Sequence, residues 1–177
     1  MRGNQVQGRF KIDFETKSMD EGIVDELRTP VGTEVDWWIW DDNYFEANPE
    51  LVFDPIYDTS NQEDGKGRHW IDPFKMPVIL AQQLRGTNVN NERGFYTTDS
   101  LRLVIAVDDI NRLLPAMIAD PSVHIKDRIV FQGGVFVPTR VLPRGRYKDR
   151  YSVVTIDCNQ VNPEELVNDS QFQEFAN

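Results

Sequence analysis

Leu101, Leu103, Ile105 and Val107 alternate with Arg102, Val104, Ala106 and Asp108. A period of two sets one row of side chains against a core and turns the other outward, which a helix of 3.6 residues per turn does not do. This strand has company. Residues 127–131 and 135–137 are two more apolar runs, separated by Gln132-Gly133-Gly134. Glycine supplies the positive φ that a tight hairpin turn requires. A further turn at Pro143-Arg144-Gly145 leads to residues 151–160, where Val154, Ile156 and Cys158 alternate with Val153, Thr155 and Asp157. Strands in close succession joined by short turns predict a mainly β chain, a small antiparallel β-barrel or sandwich.

The rest of the chain is arranged around that core. Residues 76–84 read as a strand with Val78, Leu80 and Leu84 on one face and Ile79, Ala81 and Gln83 on the other. Residues 85–94, with three asparagines and two glycines, read as a loop. Asp108 or Asp109 suits the cap of a short helix running through Leu113 and Leu114. Asn162-Pro163-Glu164-Glu165 opens a C-terminal helix that takes in Leu166 and Val167 and runs toward Phe172. Residues 35–40 and 51–57 are short β-like runs that flank acidic, turn-rich sequence, and residues 58–68 read as an exposed loop. Before them lies little periodicity beyond Phe10-Lys11-Ile12-Asp13-Phe14. The expected organisation is an extended N-terminal arm (1–34), a β-barrel domain (35–161) and a short C-terminal helix or tail (162–177).

A length of 177 residues fits one domain. No apolar run approaches the roughly 18 residues of a membrane span, so no membrane association is expected. Met1-Arg2-Gly3-Asn4-Gln5 has no apolar stretch behind it, which predicts no secretory leader. The single Cys158 fits a reducing compartment. Charge is unevenly placed. Residues 34–64 hold ten acidic residues and neither Lys nor Arg, whereas residues 126–150 hold seven basic residues against Asp127 and Asp149. The net charge of −10 argues against a general duplex-DNA binder, which needs cations to displace counterions from phosphates.

Chemistry-bearing patterns are sparse. His69 and His124 have no partner at zinc-ligand spacing. Cys158 shares a face with Val154 and Ile156, as a buried structural thiol does. Residues 58–69 have no glycine at the sixth place of a calcium loop and no glutamate at the twelfth. Gly133-Gly134 belongs to a hairpin, not a phosphate loop. Asp41-Asp42 and Asp108-Asp109 fit turns and caps. No enzyme, no metal and no cofactor is therefore expected.

Several phrases carry a likeness. They are Val35-Asp36-Trp37-Trp38, residues 52–58 (Val-Phe-Asp-Pro-Ile-Tyr-Asp), Asn91-Glu92-Arg93-Gly94-Phe95-Tyr96 and Pro163-Glu164-Glu165-Leu166-Val167-Asn168-Asp169. With them goes the order of elements over residues 76–161: alternating strand, helical link, basic-flanked hairpin with a glycine turn, final strand. In these the chain resembles the stopper (head-closure, or head–tail joining) proteins of long-tailed phages, those of actinobacteriophages in particular. The resemblance implies a β-barrel bearing long loops, assembled as a ring of copies, a hexamer or a dodecamer, in the neck of the virion after assembly in the host cytoplasm. Such a ring joins a head-side adaptor to a tail terminator or tail tube and retains packaged DNA in its channel without sequence-specific contacts. The other rings of the same neck, the terminator and the adaptor, are the nearest alternatives. A ligand-binding or enzymatic β-barrel is the alternative of another class.

Within that reading a channel plug needs a long loop on a rigid frame. Residues 58–68 and 85–96 qualify. The second is preferred because it joins two strong strands, with Gly86 and Gly94 as hinges, Arg85 and Arg93 as phosphate contacts, and Asn88 and Asn90 between them. The acidic run either lines the channel or meets basic residues of a neighbour. In the latter case Trp37, Trp38, Trp40, Asp41 and Asp42 face Arg140, Arg144, Arg146 and Arg150 across copies. Leu166 and Phe172 are candidate anchors for the neighbouring ring.

Overall fold

The structure, a computed structural model, describes Gly22, Glu26, Tyr44 and residues 32–41, 53–54, 59–60, 68–91, 94–147, 150–167 and 169–176. The chain is mainly β. Seven strands form one antiparallel sheet in the order β4-β1-β7-β8-β9-β6-β5. They are β1 (Thr33–Trp38), β4 (Phe74–Val78), β5 (Leu80–Asn91), β6 (Gly94–Ala106), β7 (Arg128–Phe131), β8 (Gly134–Tyr147) and β9 (Arg150–Gln160). A separate two-residue pair, β2 (Phe53–Asp54) and β3 (Thr59–Ser60), falls within the expected run 51–57 and the expected loop 58–68.

Connectivity forces this sheet to curl. Laid flat, seven strands span about 29 Å between the outermost two. Yet the outermost strands, β4 and β5, are consecutive in sequence and separated only by Ile79, a separation of at most about 7 Å. The sheet must therefore roll until its edges meet. At the corner the Ile79 N–H donates to Val104 O of β6 at 2.8 Å. β4 pairs with β1 and β5 pairs with β6, so the hydrogen-bond ladder does not run unbroken around the roll. The expected small antiparallel β-barrel is thus a rolled sheet whose ladder is not closed.

The two faces of the roll hold different cores. Inside lie Val35, Trp37, Met76, Val78, Leu101, Leu103, Ile105, Ile129, Phe136, Val154, Ile156 and Cys158. The alternation read at residues 101–105 and 154–158 is this inner row. Helix α1 (Val107–Leu113) and the turns after it add Ile110, Leu114 and Met117 to the same core. Outside, the strand residues one step along, Val130, Val135 and Val137, pack with Trp38, Trp40 and Trp70 beneath the C-terminal segment, through Val161, Leu166 and Phe172. One apolar row on each face of β1, β7 and β8 is why these strands carry continuous apolar runs instead of clean alternation.

Five expectations change in detail. The corner at Ile79 breaks the parity expected across 76–84: Val78 is buried, whereas Leu80 and Leu84 are 51% and 44% exposed. The expected loop at 85–94 is strand on both sides of residues 92–93, because the ladder between β5 and β6 continues through Asn91 and Gly94 despite the asparagines. α1 begins after Ala106, and Asp108 and Asp109 occupy its first turn, where carboxylates favour the helix dipole without capping it. The C-terminal helix α2 (Pro163–Leu166) is a single turn whose N-cap Asn162 makes no side-chain capping bond. Phe172 therefore lies beyond it. Likewise Pro143-Arg144-Gly145 is not a turn but part of β8. The expected N-terminal strand at 10–14 lies outside the described residues, and β1 starts at Thr33, just inside the expected arm.

Candidate functional site

Two ribbons leave the sheet from opposite ends. β6 pairs with β9 only from Ser100 to Ala106, while its ladder with β5 continues to Asn91 opposite Gly94. Residues 87–91 and 94–98 thus form a two-stranded extension of about 17 Å. At the other end β9 leaves β6 at Val153, and the β8–β9 ladder runs on to Tyr147 opposite Arg150.

The first extension contains the residues expected to gate a channel. Gly86 sits at the register shift between Leu84 and Thr87, where its φ of 71° is the left-handed conformation that glycine adopts without cost. Asp99 holds the bulge. Its Oδ1 accepts from the Gly86 N–H at 3.0 Å and its Oδ2 from Gln83 Nε2 at 2.9 Å. Arg85 is exposed beside it. Asn88 and Asn90 lie on β5 and Gly94 opens β6. Arg93 lies outside the described residues. The strand pairing makes this element a ribbon with one bulge at its root instead of a loop with two glycine hinges.

The second extension holds Arg146 and Arg150, and Arg140 and Arg144 precede it on β8 within the sheet. Arg140, Arg144 and Arg146 share one parity on β8, with Arg144 opposite Val153, Arg146 opposite Tyr151, and Arg150 opposite Tyr147. All three are exposed, and the Arg146 guanidinium lies over the Tyr151 ring at 5.9 Å. Gly145 between them has φ 63°, and a Cβ there would collide with Ser152 Oγ. Ser152 Oγ donates to Gly145 O at 3.1 Å. Arg102 of β6 extends the cationic face, paired with Asp157 at 2.7 Å.

The tryptophans expected at an interface belong mainly to the chain's own interior. Trp37 is fully buried, and its Nε1–H donates to Asp127 Oδ2 at 2.8 Å. Asp127, with no exposed surface, also accepts from the Trp40 N–H at 3.0 Å and from His124 Nδ1 at 2.8 Å. With Asp127 as a carboxylate, which only accepts, this bond belongs to the His124 tautomer that carries its proton on Nδ1. This hub joins β1, the turn before β7 and the entry to the Trp40–Trp70 bridge. Sequence reasoning placed Asp127 in a hairpin and His124 without a partner. Their spacing of three was the available signal, but Trp37 is 90 positions away. Trp38 alone keeps part of its surface, against Phe172 with ring centroids 5.0 Å apart. Asp41 stands 3.4 Å from His69 Nδ1, and Asp42 lies outside the described residues.

Leu166 and Phe172, expected as anchors for another ring, are 2% and 0% exposed. They cover the outer face of the sheet. A part-buried ion cluster fastens this segment. Glu165 Oε1 accepts from Arg68 Nη1 at 2.6 Å and from Arg128 Nη2 at 2.9 Å, and Arg68 Nε lies 3.2 Å from Asp169 Oδ1. Burial pulls Arg128 below the usual guanidinium pKa, while Glu165 and Asp169 act in the opposite direction. Gln171 clamps the Trp70 backbone from both sides, accepting from its N–H and donating to its carbonyl. Cys158 is buried, and desolvation pushes its thiol pKa up, away from nucleophilic use. Among the described residues no group of three His, Cys, Asp or Glu is placed to hold a metal ion, and no helix is long and apolar enough to cross a membrane. Compared with family models and curated proteins, the chain matches none.

Proposed function

We propose that this protein is a structural component of a phage neck, a stopper whose copies form a ring between the head-side connector and the tail and retain packaged DNA. The observation that carries the reading is the pair of ribbons leaving opposite ends of one rigid rolled sheet. A ring subunit must reach inward to the channel and sideways to its neighbour, and two projections on a packed frame meet both needs. The sequence phrases that resemble stoppers support the same assignment. Among the described residues helices α1 and α2 are short, which disfavours a helix-rich adaptor.

In this reading the β5–β6 ribbon is the channel element, and the bulge at Gly86 sets its angle. The cationic β8–β9 ribbon and the acidic run of residues 34–64 belong to contacts between copies. The test is to add the purified full chain to DNA-filled, tail-less heads and, separately, to isolated tails. Binding to filled heads with retention of DNA supports the stopper. Binding to tails alone points to a terminator, and binding to neither removes the neck assignment. In heads assembled with a chain lacking residues 87–97, DNA leaks if this ribbon is the channel element.

A further inference from the structure

Among the described residues, the outer face of the sheet is covered over only half its width. Over β1, β7 and the start of β8 it lies beneath the C-terminal segment. Over β5, β6, β9 and the rest of β8 it carries exposed residues, although Thr155 among them is buried, at 6%. Parity fixes its residues: Leu80 pairs with Val104, Val104 with Thr155, and Thr155 with Leu142, one row across four strands. Leu80, Leu84 and Tyr151 are 51%, 44% and 39% exposed. Arg102, Asp157 and Arg140 form the next row across the same face, and Arg144 and Arg146 follow further along β8. Apolar residues interleaved with arginines are a composition found at interfaces, and this face is cationic in a chain of net charge −10.

At the far edge of the same sheet the outer face has the opposite sign. Val35 and Trp37 point inward, so Glu34 and Asp36 point outward, with side chains 59% and 43% exposed. Among the described residues Lys75 stands against both, at 3.9 and 3.4 Å. These two acids open the run of ten at residues 34–64. Both patches lie on the convex side of one roll, so they diverge and cannot meet within a chain.

We infer that the β5–β6–β9–β8 face docks onto the acidic outer strip of β1 in a second copy of this chain, head to tail. Two different patches make the contact heterologous, the kind that closes into a ring. The paired region is four strands wide and seven residues long, roughly 19 Å by 24 Å. That is about half of the roughly 800 Å² per partner that a standard interface buries. A single contact is therefore weak, and closure, which gives each copy two contacts, stabilises the assembly. The inference rests on the neck reading for the ring, but its test uses the chain alone.

Sedimentation velocity of the full chain in low salt, up to about 1 mM where a millimolar contact is half populated, reads the association. The wild type associates with concentration and dissociates in high salt. Arg144→Glu with Arg146→Glu stays monomeric, as does Glu34→Lys with Asp36→Lys, and mixing the two reversed chains restores association. Leu80→Ser with Leu84→Ser, at exposed positions, also stays monomeric. A wild type that remains monomeric throughout, a reversed variant that associates like the wild type, or a mixture that stays monomeric overturns the inference. Association without binding to filled heads removes the neck reading and leaves this contact standing. Head binding by a chain that stays monomeric does the reverse.

Discussion

Asp127 shows how one side chain decides local structure. Its carboxylate accepts from Trp37, from the Trp40 backbone and from His124, all out of contact with water. Removing it leaves three buried donors without an acceptor, each costing about 1–3 kcal/mol. Asp127→Ala is expected to destabilise the chain by at least about 3 kcal/mol in urea unfolding. Asp127→Asn keeps one acceptor but turns an amide toward a donor, so a smaller loss is expected. A second residue points the other way. Gln132, at the tip of the β7–β8 hairpin, has φ 49° beside Gly133 at 79°. That is the turn for which Asn-Gly is the preferred pair. Left-handed backbone costs an ordinary residue about 1 kcal/mol, and asparagine tolerates it better. Gln132→Asn is expected to raise the unfolding midpoint without changing the denaturant slope.

Two elements differ from their reading in sequence, for one reason: pairing partners distant along the chain. Residues 85–94 have the composition of a loop, but β6 is there to pair with, and the ladder satisfies backbone groups that asparagine side chains would otherwise compete for. The bulge at Gly86 is the weak point of that ribbon. Asp99→Ala frees the Gly86 N–H, and hydrogen exchange at residues 87–91 is expected to speed up while the global melting temperature changes little. The C-terminal segment is the second case. Its helix stops after one turn because Leu166 and Phe172 are drawn onto the sheet and the ion cluster of Arg68, Arg128, Glu165 and Asp169 fixes the path. Phe172→Ala removes a wholly buried ring, at a cost of about 3–5 kcal/mol. If thermal unfolding shows less than 1 kcal/mol of loss, the segment is not part of the cooperative fold.

At the scale of the molecule, the rolled sheet sorts charge by strand. Glu34 and Asp36 stand outward on β1, and Arg102, Arg140 and Arg144 outward on β6 and β8. Self-association is therefore expected to fall steeply as salt is raised from about 50 mM, because exposed charges farther apart than the Debye length no longer attract. The strands themselves were legible in sequence. The alternation at 101–107 and 151–160 is a local consequence of side chains pointing to opposite faces, and the positive charge of residues 126–150 is a matter of counting. Not legible were the curl of the sheet, the hub at Asp127 and the difference between covered and exposed outer face. The curl follows from Ile79 joining the two outermost strands, which is known only once the strand order is known. The hub joins residues 90 positions apart, and no local pattern marks such a pair. The sequence by itself determined that the chain is β and where its charges lie, because period and composition are local properties. Only the tertiary structure decided which tryptophans, leucines and arginines are left outward, because exposure depends on what the rest of the chain covers.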